Sequence, residues 1–120
     1  MKVTIYHNPR CSKSRQALAL LEEQGADIET VEYLRTPPDH ATVRSLANRL
    51  GVDVRELLRT GETEYAELGL GDPSLDETRL INAIVDNPIL LQRPIVLSGD
   101  KAVIGRPPEN VLALFDERAG

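Results

Sequence analysis

The chain of 120 residues is poor in several things at once. It has one cysteine, Cys11. That excludes an intramolecular disulfide framework and a multi-cysteine zinc site, and leaves either an inert buried thiol or a reactive one. It has no apolar run long enough to span a membrane. Val3 to Tyr6 is too short for the core of a signal peptide, and His7, Asn8, Pro9 and Arg10 follow at once, so a cytoplasmic protein is expected. There is no internal repeat, low-complexity tract or polar linker. Basic residues are outnumbered, 14 against 19 acidic, for a net charge of −5. A general nucleic-acid binder would be basic over one face, so that class is disfavoured. Lysine is scarce too: only Lys2, Lys13 and Lys101, so 11 of the 14 basic residues are arginine. Arginine's rigid fork suits oxyanions. The two histidines, His7 and His40, stand at spacings that match no zinc pattern, so no metal is expected.

What remains is an ordinary globular composition, 41% hydrophobic and 28% charged, of a length for one domain. Val3 to Tyr6 reads as a buried strand. Ala17, Leu20 and Leu21 share a helical face after Ser12, and Ile28 to Leu34 reads as a second strand. Strand, helix and strand in so short a stretch suggest a parallel βαβ unit. Thr36-Pro37-Pro38-Asp39 opens a helix carrying Val43, Leu46, Ala47 and Leu50, closed by Gly51. A short helix over Val54 to Leu58 and a helical turn around Tyr65 follow. Ser74 to Glu77 has capping-box spacing before a helix through Leu80, Ile81, Ile84 and Val85, which ends at Asn87-Pro88. Ile95 to Leu97 and Ala102 to Ile104 flank Ser98-Gly99-Asp100 as a hairpin, and a last helix carries Val111, Leu112 and Phe115. The order β-α-β, helical middle, β-β-α is that of an α/β thioredoxin-like fold. The expectation is a single domain over 1–120 with a helical insertion at approximately 38–88.

Cys11 falls between a strand and a helix, where free N–H groups and the helix dipole favour a thiolate. Arg10, Lys13 and Arg15 are its cationic neighbours, and Ser14 takes the second place of a Cys-x-x-Cys frame. The Ser14 hydroxyl is a candidate donor to the thiolate. Pro94 opens the Ile95 strand, where thioredoxin-like folds place a cis proline facing the cysteine loop. Arg93 and Arg106 stand at the ends of elements flanking that face. Arg59 ends the run from Arg55 in the insertion. Arg35, Arg44, Arg49, Arg79 and Arg118 read as surface residues, as do His40, Glu22-Glu23 and Asp116-Glu117.

The run from His7 to Arg15, with Arg93-Pro94-Ile95-Val96 and Gly105-Arg106-Pro107, closely resembles the glutaredoxin-linked arsenate reductase family, over nearly the whole chain. That family shares its thioredoxin-like fold with the Spx-type regulators. The resemblance implies Cys11 as nucleophile and Arg59, Arg93 and Arg106 as oxyanion ligands. It implies His7 and Ser14 as supports of the thiolate, with Arg15, Asn8 and Arg10 in the same loop. It implies no tightly bound cofactor, glutathione as cosubstrate and glutaredoxin as partner, with neither nucleic acid nor membrane. The chain stops soon after the last helix, as in the shorter chromosomal relatives. Two other readings stay open. One is an Spx-like module binding RNA polymerase, which the missing second cysteine opposes. The other is a monothiol glutaredoxin-like transferase, which leaves the arginines without a task.

Overall fold

The β-branched run at the amino terminus forms the centre of a sheet. In the computed structural model, which describes residues 1–115, β1 (Lys2–Tyr6) pairs in parallel with β2 (Asp27–Val31) and antiparallel with β3 (Ile95–Ser98). β3 pairs antiparallel with β4 (Lys101–Ile104), so the strand order is β2-β1-β3-β4. A parallel pair cannot be joined by a tight turn, and α1 (Ser12–Glu23) supplies the crossover. β3 and β4 need only the two residues Gly99 and Asp100 between them. Gly99 has a φ of 59°, which suits the first central position of such a turn.

The chain divides into two compact units, each described by itself. The first comprises Met1–Thr36 with Arg93–Gly120. Its core is the alternate set Val3 and Ile5 from β1 and Val96 from β3, packed with Ala17 and Leu21 of α1 and Val111 and Leu114 of the last element. Residues two apart on a strand share a face, as do Ala17 and Leu21, four apart on a helix. The thioredoxin-like fold read from the sequence is present.

The second unit, Pro37–Gln92, is helical. It contains α2 (His40–Leu50), a 3-10 turn over Val54–Leu57, α3 (Thr63–Glu67), α4 (Glu77–Asp86) and a 3-10 turn over Pro88–Leu90. Val43, Leu46 and Ala47 of α2 are buried, as are Leu80, Ile81 and Ile84 of α4, and the two helices pack together.

Three elements differ from their expected form. β2 ends at Val31, because the N–H groups of Arg35 and Thr36 both turn back to the Glu32 carbonyl. Tyr33 is thereby fully buried in a turn and not in a strand. The helix α4 is capped by Asp76, whose carboxylate accepts from the Arg79 N–H. Ser74 caps nothing there: its N–H and hydroxyl both donate to Asp72. The last element, Pro108–Phe115, is wound as a 3-10 helix. His40 lies at the surface, half-buried, with its Nε2 paired to Asn82 Oδ1 of α4. Asp116, Glu117 and Arg118 lie outside the described residues.

Candidate active site

The loop His7–Arg10 runs from the carboxyl end of β1 to α1, and its polar groups are paired among themselves. His7 and Asn8 are buried, as is Ser14, in the first turn of α1. The His7 N–H still extends the sheet, donating to the Val31 carbonyl at 2.8 Å. The Ser14 hydroxyl oxygen accepts from the Asn8 N–H at 3.1 Å and lies 2.6 Å from His7 Nδ1. Asn8 Oδ1 accepts from the Arg10 N–H at 3.0 Å, and the Asn8 carbonyl accepts from the Cys11 N–H at 3.0 Å. An asparagine that folds the chain back on itself in this way is a turn-former by chemistry. Arg15 closes the loop from outside, donating from Nη1 to the Pro9 carbonyl at 2.9 Å. A buried set with its partners supplied is rigid, because each unmade bond would carry a desolvation cost.

Cys11 is thus held at the start of α1 with extended backbone (φ −92°, ψ 121°) and is partly exposed. It makes no side-chain capping hydrogen bond of ordinary geometry. Its thiol is nonetheless shifted below its ordinary range. Burial opposes the charge. The Ser14 N–H, the Arg93 guanidinium and the Lys13 N–H together outweigh it. A helix start and one cation favour the thiolate in this way. Ser14 therefore meets the sulfur through its backbone N–H, while its hydroxyl is engaged with His7 and Asn8. His7 is shifted below its ordinary range, first by burial and further by Arg15, against the opposing pull of Glu32. Burial thus favours its neutral imidazole, whose Nδ1 is bonded to the Ser14 hydroxyl.

The second strand pair delivers the arginines. The Arg93–Pro94 peptide is cis, and so is Arg106–Pro107, which the sequence reading did not anticipate. Gly105 N–H donates to the Pro94 carbonyl at 2.8 Å. A Cβ on Gly105 would stand 2.8 Å from Pro94 Cγ, so only glycine lets the backbone come this close. The two segments before the prolines thereby run together. Arg106 is exposed, and its Nη1 reaches toward the Arg93 carbonyl at 3.4 Å. Cys11, His7, Ser14, Arg15, Arg93, Pro94 and Arg106 all belong to the sheet unit.

Arg59 belongs to the helical unit. There, Leu58 and Leu91 form an antiparallel bridge, the Arg59 N–H donates to the Leu90 carbonyl, and the Gln92 N–H donates to the Leu57 carbonyl. The Arg59 side chain pairs with Glu62 at 3.3 Å. Among the described residues no group of three or more His, Cys, Asp or Glu is placed to hold a metal ion. No helix among them is long and apolar enough to cross a membrane.

A partly exposed cysteine at a helix start, its thiol lowered by an arginine, and a cis proline opening a strand of a β-α-β plus β-β-α frame mark the class of thioredoxin-like proteins. Within that class the chain belongs to the ArsC family, whose model matches residues 6–114. It is 57% identical over 114 residues to the uncharacterized protein YfgD of Escherichia coli, covering 94% of this chain and 96% of that one. It is 51% identical over 115 residues to an arsenate reductase of Neisseria meningitidis, covering 95% and 98%. The solved arsenate reductase of Vibrio cholerae superposes with a TM-score of 0.92 at 46% identity, covering 94% of this chain and 97% of that one.

Proposed function

We propose that this protein is an arsenate reductase that uses Cys11 as its one nucleophile, glutathione as cosubstrate and glutaredoxin as the second thiol donor. The observation that carries the reading is the place of Cys11 at the start of α1, partly exposed, where the Ser14 and Lys13 N–H groups and the Arg93 guanidinium lower its thiol pKa. The same groups that lower the thiol pKa can receive the oxygens of a tetrahedral oxyanion. Arg106, next to Arg93, adds a second guanidinium. The participation of Arg59 rests on the family resemblance. Arsenate and a thiolate repel one another, and fixed guanidinium groups offset that repulsion where it develops.

The Cys11 thiolate attacks arsenic, a sulfur–arsenic bond forms, and one oxygen leaves as water after protonation. Arsenic is still in its higher oxidation state. Glutathione then attaches to the bound arsenic and displaces a second oxygen as water. A glutaredoxin thiolate attacks the glutathione sulfur, and the sulfur–arsenic electron pair stays on arsenic. That is the two-electron reduction. A mixed disulfide of glutathione and glutaredoxin leaves, and hydrolysis of the remaining bond frees arsenite and the Cys11 thiol. Both reducing equivalents come from outside because the chain has no second cysteine. The reducing, glutathione-rich cytoplasm fits such chemistry.

The test is arsenate-dependent NADPH oxidation with glutathione, glutaredoxin and glutathione reductase. Wild type is expected to turn over and Cys11→Ser to fall to background. Arsenite formation equal in the two proteins would remove the proposal. Faster turnover of a glutathionylated peptide than of arsenate would move the assignment to a thiol transferase.

A further inference from the structure

Beside the cysteine loop, the sheet unit carries a pocket of about 480 Å³ that the oxyanion chemistry does not use. Its walls are His7, Asn8, Pro9 and Arg10 on one side and Glu32, Leu34 and Arg35 on the other. The first group ends at the residue before Cys11. The second is the turn that follows β2, held by the Arg35 and Thr36 N–H groups on the Glu32 carbonyl. Both walls are therefore fixed by backbone bonds.

The size and charge of this pocket say what it takes. A tetrahedral oxyanion would fill a small part of it, and the Glu32 carboxylate would repel a dianion there. Arg10 and Arg35 are exposed, and neither guanidinium forms an ion pair among the described residues. Leu34 is 39% exposed and, with Pro9, gives the lining an apolar part between its charged side chains. Two cations, one carboxylate and an apolar patch match a short peptide with two carboxylates, one ammonium and a small apolar stem. Charge-assisted bonds from arginine to carboxylate are the strong, geometrically selective kind.

We infer that this pocket is the subsite for the thiol cosubstrate: Arg10 and Arg35 each receive a carboxylate of a glutathione-like tripeptide, and Glu32 receives its ammonium. The inference rests on the proposed thiol-dependent reaction and adds where the thiol is bound. It places the peptide against the segment that leads directly into Cys11, so that the incoming sulfur and the nucleophile share one loop. It also gives Arg35 a task that its position in the sequence does not suggest.

The test separates binding from turnover. S-methylglutathione, which cannot react, is titrated into the reduced full-length protein and followed by amide chemical shifts. The inference expects saturable shifts at Pro9-flanking residues, Glu32 and Leu34. It expects affinity to fall about tenfold in Arg35→Ala and again in Arg10→Ala. Glutathione lacking its α-amino group should bind more weakly than S-methylglutathione to wild type and equally well to Glu32→Gln. In turnover, Arg35→Ala should raise KM for glutathione and leave KM for arsenate in place. Shifts elsewhere on the protein, or unchanged affinity in both arginine variants, would overturn the inference even if arsenate is reduced. Binding that follows these patterns in a protein that fails to reduce arsenate would keep the subsite and reject the reaction.

Discussion

At the level of single residues, the reactivity of Cys11 depends on which groups face its sulfur. Burial works against the thiolate, and the Ser14 N–H, Arg93 and the Lys13 N–H reverse that balance. Two of the three are backbone groups that no side-chain substitution removes. Arg93 is the part that mutagenesis can reach. Arg93→Ala is expected to raise the Cys11 pKa toward the ordinary value of about 8.5 and to slow alkylation by iodoacetamide at neutral pH. The pH profile of the alkylation rate measures it, and a profile identical to wild type would contradict the assignment. Ser14 acts at one remove. Its hydroxyl is buried between His7 Nδ1 and the Asn8 N–H. Ser14→Ala leaves those two groups without their partner and is expected to cost about 1–3 kcal/mol in urea unfolding. Its effect on the thiol pKa should be smaller than that of Arg93→Ala, because the Ser14 N–H remains.

At the element scale, helix ends and turns decide where the functional residues stand. Asp76 and Ser74 make a direct comparison. Asp76→Ala removes the cap of α4 and is expected to lower stability by about 1 kcal/mol. Ser74→Ala is expected to change it less, because its hydroxyl serves only the Asp72 turn; equal losses in urea titrations would contradict the cap assignment. The capping-box spacing at Ser74 was legible, but so is the Asx turn at Asp72 that competes for the same serine, and spacing alone does not rank them. Local pattern sufficed where the partner lies nearby in sequence. The Val3–Tyr6 strand, the apolar face of α2 and the Gly99 turn are of this kind. It failed where the determinant is a distant backbone group. The second strand was read through Leu34, yet the turn on the Glu32 carbonyl ends it at Val31. The approach of Gly105 to Pro94 has no sequence signal beyond the glycine itself. Arg35 is exposed, as its sequence context implies, and only the fold brings it opposite Arg10 across the pocket.

At the scale of the whole molecule, the net charge of −5 hides a local reversal, with cationic groups gathered around the cysteine loop. The buried loop also makes stability depend on pH. His7 is held neutral chiefly by burial, so its value in the folded protein lies below that in the unfolded chain, about 6.5. The unfolded chain therefore takes up the proton first. The His7 contribution is complete above about pH 6.5 and is lost as pH falls toward the folded value. Urea midpoints should fall on acidification through this window, and His7→Gln should flatten that slope; an unchanged slope would contradict the buried neutral imidazole. The central claim is that arsenic bonds to Cys11 sulfur. Intact-mass analysis of the reduced protein after arsenate and glutathione, with glutaredoxin omitted, tests it most directly. One arsenic per chain is expected, mapped to the Cys11 peptide and missing from Cys11→Ser. Arsenite production by a protein that never carries arsenic on Cys11 would contradict it.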